Sequence, residues 1–389
     1  MLSTEIKQII ADVFSDIASG IKSGSFKEKV KIGLTTFGSE HGIEEMIKAA
    51  EMAKNKYNDF DIVLIGPKTS FNIGNVETIE VKDSEEGHKV MVELLESGKI
   101  NGCVTQHFEF PIGVSTVGRV ITPGKASDMI IATTTGTTST NRVEAMVFNA
   151  ISGIAVAKTL GIKKPKIGIL NLDGARQVER ILKEVKSNGY EFDFANSLRI
   201  DGGAVMRGND LLAGTPDVMI CDSLTGNLLI KIFSSFTTGG DYETLGAGYG
   251  PGVGEGYNKL VNIVSRASGA PLICEALKYC AICAENNLIS TTENEFKKAN
   301  SVGLREIINK TIKVKEVASE EEVKIPPKKI VTFAIPGIDI LELENACKSL
   351  WKEGIYSESG MGCTGPIVLV NEDDGGKAIV ELIKLGYKD

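Results

Sequence analysis

Across residues 4–21 the apolar positions Ile6, Ile9, Ile10, Val13, Phe14, Ile17 and Ile21 recur at helical spacing between polar neighbours, which predicts an amphipathic opening helix. Short β-branched runs then alternate with helical patterns. Residues 30–34, 61–65, 129–132, 166–170 and 217–221 read as strands, and 43–57, 141–160 and 174–188 as helices. Such alternation predicts an α/β fold with a mainly parallel sheet and flanking helices. Ligands of such sheets bind beyond the carboxyl ends of the strands, so chemistry is expected in the polar and glycine-rich segments that follow these runs.

The pattern changes over residues 313–329, where Glu320-Glu-Glu322 and Pro326-Pro327 predict a charged linker. This divides the chain into a body, 1–312, and a small C-terminal segment, 330–389. That segment reads as βαβα: a strand at 330–334, a helix at 338–351 with Asp339 as an early acid, a strand at 367–370 and a closing helix.

With 389 residues and 42% apolar content the chain can bury a large core. A formal net charge of -8 argues against a broad phosphate-backbone surface, so nucleic acid is not an expected partner. The first residues lack both a basic start and an apolar run, and no apolar stretch reaches membrane-spanning length. The expectation is a cytoplasmic protein with no membrane partner. Seven cysteines at irregular spacings fit reduced thiols rather than a disulfide framework.

Cys363 stands apart from the others. It lies in Glu358-Ser-Gly-Met-Gly-Cys363-Thr-Gly-Pro366, read as a glycine-lined turn ahead of a buried strand, where another molecule can approach the sulfur. The same residues are equally compatible with a tight turn carrying a passenger cysteine. A second candidate begins at Cys221-Asp-Ser-Leu-Thr-Gly-Asn227, where a strand, a turn and a helix start coincide. Thr225, Gly226 and the first-turn amides could hold an oxyanion, with Asn227 and Lys231 in support; alternatively Thr225 and Asn227 only cap the helix. Residues 132–142, rich in threonine and ending in Asn141 and Arg142, could likewise hold phosphate or cap.

Other features carry less chemistry. Residues 246–256 superficially match a dinucleotide fingerprint, but no clear strand precedes them and Pro251 interrupts them, so a mobile loop is expected. Cys274, Cys280 and Cys283 fall on one helical stretch with no fourth ligand, so a buried face is expected and no metal site. His41 and His107 are open to a ligand or a structural role, and His88 reads as structural or solvated.

Several blocks together resemble one family: Gly38-Ser-Glu-His41, the run from Phe110 to Pro123, Asn171 with Asp173-Gly-Ala-Arg-Gln-Val-Glu-Arg180, Met206-Arg-Gly-Asn-Asp210, and Glu358 to Pro366. Over essentially its whole length the chain resembles the alpha subunits of component C of the glycine, sarcosine and betaine reductase complex. Through about residue 312 it is also similar to the phosphate acyltransferase of phospholipid synthesis, notably at Pro216-Asp-Val218 and from Asp222 to Lys231. That resemblance implies a fold similar to phosphotransacetylases and isocitrate dehydrogenases. The reductase resemblance implies that selenoprotein component A presents a carboxymethyl selenoether and that component C releases its carbon as acetyl phosphate. Cys363 would carry an acetyl thioester, and Asn209, Asp222, Asn227 and Lys231 would line the phosphate and acyl pocket beside Thr225 and Gly226.

The resemblance further implies a beta subunit similar to condensing enzymes, a mixed oligomer of alpha and beta chains, no tightly bound cofactor, and inorganic phosphate as co-substrate. Two other functions compete with this reading. One is a free-standing acetyltransferase that uses coenzyme A; the other is a non-catalytic scaffold for the beta subunit.

Overall fold

The computed structural model describes residues 29–68, 76–200, 202–318, 323–362 and 365–388, together with 10, 13–14 and 17–18. The opening helix therefore falls largely outside the described residues, although Ile10, Val13, Phe14 and Ile17 are helical. The chain then runs through β1 (Val30–Thr35), α1 (Ile43–Lys56), β2 (Phe60–Gly66), β3 (Glu77–Glu80), α2 (Ser84–Glu96) and β4 (Gly102–Thr105). Next come β5 (Val114–Ile121), β6 (Asp128–Thr137), α3 (Arg142–Thr159), β7 (Lys166–Leu170), α4 (Ala175–Ser187), β8 (Asp193–Phe194) and β9 (Val205–Met206). The body closes with α5 (Gly208–Ala213), β10 (Val218–Ile220), α6 (Ser223–Ser235), β11 (Gly250–Val253), β12 (Val261–Ile263), α7 (Ala270–Glu285), α8 (Leu288–Ser301) and α9 (Leu304–Ala318).

These strands form one sheet in the order β3-β2-β1-β4-β12-β11-β5-β6-β10-β7-β8, with β9 added beside β7. Pairing is parallel in both halves, and β5 and β11 supply the antiparallel joints between them. One face is buried under α1, α3, α4, α7, α8 and α9, and the other under α2, α5 and α6. An α/β body with a mainly parallel sheet and helices on both faces is thus the observed architecture.

Residues 246–256 do not form a mobile loop. Gly250 to Val253 are buried as β11 in the middle of the sheet, between β5 and β12. A side chain at Gly250 would collide with the Val117 carbonyl, and one at Gly252 with the Phe110 ring. The glycines are there because neighbouring strands and rings approach too closely for a Cβ, which removes the apolar signal that marks most buried strands.

The C-terminal unit contains β13 (Phe333–Pro336), a 3-10 turn at Ile340–Glu342, α10 (Leu343–Lys352), β14 (Ser357–Gly362), β15 (Gly365–Val370) and α11 (Gly375–Lys384). The expected βαβα pattern is corrected to β-α-β-β-α, because the segment read as a glycine turn is strand β14. All three strands are antiparallel, in the order β13-β15-β14. The strand expected to be buried is covered on one side only: Val368 and Val370 are buried, while Ile367 and Leu369 are half-buried. Its own core gathers Ile335, Ile338, Ala346, Leu350, Val368, Val370, Ala378 and Leu382. The segment 313–329 is helical as far as Ala318, where α9 ends.

Candidate functional site

Strands β6, β7, β9 and β10 are mutually parallel, so the residues after each of them collect at one edge of the sheet. After β10 comes Asp222, the N-cap of α6, whose Oδ1 accepts from the Thr225 amide at 2.8 Å. Its Oδ2 accepts from Arg142 Nη2, at the first position of α3. Arg142 also lies 3.6 Å from Asp173, in the loop after β7. One guanidinium therefore ties together the segments that follow three adjacent strands. A cation at a helix N-terminus opposes the helix dipole and needs an acidic partner; Asp222 and Asp173 supply it.

Burial pushes the Asp222 carboxyl up, but the Thr225 amide and the Arg142 guanidinium pull harder, leaving it below the ordinary aspartate value. It is therefore ionised at neutral pH and holds Arg142 in place. Arg142 remains about half-exposed, and a guanidinium has five N–H donors, so it can bind an anion while keeping Asp222.

The start of α6 is pressed against β6. A side chain on Gly226 would run into the Thr133 carbonyl and come 3.1 Å from Cys221 Sγ. Asn227 Nδ2 donates to the Thr134 carbonyl at 3.3 Å, and Asn149 Nδ2 donates to the Cys221 carbonyl at 3.0 Å. Gly226→Ala is expected to push the helix off β6 and cost about 1–3 kcal/mol, read as a lower urea midpoint. An unchanged midpoint would mean that the packing here is looser than described.

The amides expected to hold an oxyanion are already engaged. Thr225 N–H donates to Asp222 Oδ1, and Gly226 N–H to the Asp222 carbonyl at 2.9 Å. Within this helix start, the amides with no helical carbonyl four residues back that remain are those of Ser223 and Leu224.

Two expected site residues lie elsewhere. Asn209 is exposed near the start of α5, after β9, which is two strands from β10 and so roughly 10 Å away. Lys231 is six residues beyond Thr225, roughly 9 Å further along the helix. Its ammonium is 3.3 Å from Ser265 Oγ and 3.8 Å from Glu243 Oε1, over the Tyr249 ring. Burial lowers its pKa, but Tyr249, Glu243 and Glu40 outweigh burial and raise it. His41 joins the same neighbourhood: Nε2 is 3.1 Å from the Ala267 carbonyl, and its ring stands edge-on to Tyr242.

Cys363 and Thr364 lie outside the described residues, between Gly362 and Gly365, which pair across β14 and β15. The six described cysteines, Cys103, Cys221, Cys274, Cys280, Cys283 and Cys347, are all buried. Burial raises each of their thiols, Cys274 to about 11. None of these six is poised as a thiolate. Glu358, which would oppose a thiolate if it faced one, accepts from Tyr356 Oη at 2.6 Å and lies 3.7 Å from Lys328. It is four residues from Gly362, roughly 13 Å along the strand. Among the described residues no cluster of His, Cys, Asp or Glu could hold a metal ion, and no helix is long and apolar enough to cross a membrane.

The C-terminal unit is docked on α4. Asp339 accepts from the Gly174 amide at 3.3 Å and the Arg176 amide at 3.2 Å, while Arg180 binds both oxygens of Glu342 at 2.6 Å. The block from Asp173 to Arg180 thus faces Arg142 at one end and the C-terminal unit along the rest.

Against known proteins, the chain is 58% identical over 370 residues to the glycine/sarcosine/betaine reductase complex component C subunit alpha of Peptoclostridium acidaminophilum, covering 95% of each. The chain belongs to the family of component C alpha subunits. A family model described as fatty acid synthesis protein matches residues 30–369, a span that contains Arg142, Asp222, Asp339, β14 and all but the last residue of β15. Phosphate acyltransferases are more distant relatives of this family member: that of Thermotoga petrophila is 27% identical over 240 residues, 52% of this chain and 67% of that one. The Clostridium acetobutylicum enzyme is 25% identical over 240 residues, 52% and 71% of the two chains. A branched-chain phosphotransacylase structure from Enterococcus faecalis V583 aligns with TM-score 0.45 at 15% identity, over 65% of this chain and 98% of that one.

Proposed function

We propose that this component C alpha subunit forms acetyl phosphate, with Cys363 carrying the acetyl group as a thioester and inorganic phosphate attacking it. In that step a phosphate oxygen adds to the thioester carbonyl, the C–O bond forms, the C–S bond breaks and sulfur leaves as thiolate. No electrons are exchanged, so this partial reaction needs no redox cofactor. Splitting acyl transfer into two substitutions replaces one difficult barrier with two lower ones.

The observation that carries this reading is contiguity. The unit that contains Cys363 docks on the start of α4 through Asp339, and Asp173, the residue before Gly174, shares Arg142 with Asp222 at the start of α6. The unit whose sequence includes Cys363, and a cation beside an open helix start, are thereby anchored to adjoining residues, Gly174 and Asp173. Arg142 would hold the phosphate dianion with the Ser223 and Leu224 amides, and Asp222 would hold Arg142. Gly226 and Asn227 would seat the helix, while Asn209 and Lys231, each roughly 10 Å from this helix start, would make no contact with the phosphate. The burial of the other six cysteines supports Cys363 as the carrier.

The relative's name places that protein in a reductase complex. For this chain we take the partners to be a condensing-enzyme-like beta subunit and selenoprotein component A, in a cytoplasmic mixed oligomer, with the alkylated selenoprotein as source of the two-carbon unit.

Arsenate tests this reading, because acetyl arsenate hydrolyses spontaneously. The full chain incubated with acetyl phosphate and arsenate should release phosphate without coenzyme A. An absolute requirement for coenzyme A would favour the free-standing acetyltransferase, and no release under either condition the scaffold.

A further inference from the structure

Helix α4 has no capping side chain of its own: its N-cap is Gly174, in the left-handed region at φ 90°. The cap comes instead from a residue 165 positions away. Asp339 is 4% exposed and accepts three amide hydrogens, from Gly174 and Arg176 of the body and, at 2.9 Å, from Leu341 of its own turn. A carboxylate there also complements the positive end of the helix dipole. One turn further along α4, Arg180 grips the C-terminal unit at two more places, the Glu342 carboxylate and the Gly386 carbonyl. An anchor at Asp339 and a second at Arg180 fix an orientation that a single contact would leave free to swivel.

Gly174 is also where three segments meet. A Cβ there would stand 3.0 Å from Val143 at the start of α3 and 3.9 Å from Leu341 of the C-terminal unit. On its other side Asp173 reaches Arg142. The anchor of the C-terminal unit is therefore within one or two residues of the groups that hold the Arg142–Asp222 pair.

We infer that Asp339 is a positioning residue: by capping α4 from the C-terminal unit it sets where that unit stands relative to the anion site. The inference rests on the proposed thioester function and deepens it. Placement of this kind matters because a displacement of about 1 Å between reacting groups can cost on the order of 100-fold in rate. Asp339 touches no reacting atom in this account, so its loss affects the acyl-transfer rate and spares anion binding.

The test compares Asp339→Ala and the milder Asp339→Asn with the unaltered full chain, using arsenate-dependent breakdown of acetyl phosphate. For Asp339→Ala the expected result is kcat lowered by about 100-fold with KM for arsenate unchanged within about twofold. Asp339→Asn, which keeps an acceptor oxygen, should fall between. Alkylation of Cys363 by iodoacetamide should proceed at the unaltered rate in both. A purely structural role would instead lower the melting temperature and leave kcat per folded molecule unchanged, and that result overturns the inference, as does a rise in KM for arsenate with kcat intact. If the unaltered chain itself shows no arsenate-dependent breakdown, the thioester reading has failed, and the inference with it; a defect confined to the Asp339 variants separates the two.

Discussion

Replacing Cys363 by serine is expected to lower arsenate-dependent breakdown of acetyl phosphate by on the order of 1000-fold or more, with the fold and the melting temperature little changed. Serine keeps the size of the side chain but not its chemistry. Its hydroxyl is a far weaker nucleophile near neutral pH, and an oxygen ester is a poorer acyl donor to phosphate than a thioester. The six described cysteines cannot substitute, because burial keeps each of them protonated and away from solvent. Retention of most of the activity in Cys363→Ser would remove the covalent step and leave the docking role as the alternative.

The second large effect is expected at Arg142. Arg142→Ala should raise KM for arsenate or phosphate by about 10- to 100-fold, the value of a hydrogen-bonded charge at about 1.5–3 kcal/mol. Thioester formation from an uncharged acyl donor should be affected much less. Asp222 offers an independent readout. Its folded-state carboxyl lies below the ordinary value of 3.8, so its pairing stabilises the fold fully above that value and is lost as pH falls through the lower folded value. Without Arg142 the carboxyl should rise toward the ordinary value, so the share of the acid-induced stability loss that Asp222 contributes should shrink, with the stability given up already at neutral pH. An unchanged KM together with a smaller acid-induced loss would make Arg142 a structural counterion only.

The readable parts of this chain were those in which local chemistry and final environment agree. Strands β1, β2, β6, β7 and β10 are apolar runs rich in β-branched residues because most of their positions are buried, and helices α1 and α4 show their apolar spacing directly. Asp222 was visible as a residue at a strand-to-helix transition, but not that its own carboxylate consumes the Thr225 amide. Strands β11 and β14 were missed because glycine fills them. In β11 the glycines admit neighbouring backbone and rings, and β14 is assigned only by its pairing with β15.

What the sequence hid most completely was long-range pairing. Arg142 and Asp222 are 80 residues apart, and Asp339 and Gly174 are 165 apart. Local signals of both did exist. A basic residue directly after the Asn141 cap is in the wrong place for the helix dipole, and a helix that starts on glycine with no acid in its first turn has an unmet need for one. Each marks a missing partner without saying where it is.

The most direct test of the central claim is to trap the full chain with isotopically labelled acetyl phosphate, quench in acid, digest and map the added mass. The account predicts one acetyl group on the peptide containing Cys363, removable by hydroxylamine and discharged by phosphate. Label on a peptide containing Cys103 or Cys221, or a hydroxylamine-resistant adduct, would contradict it.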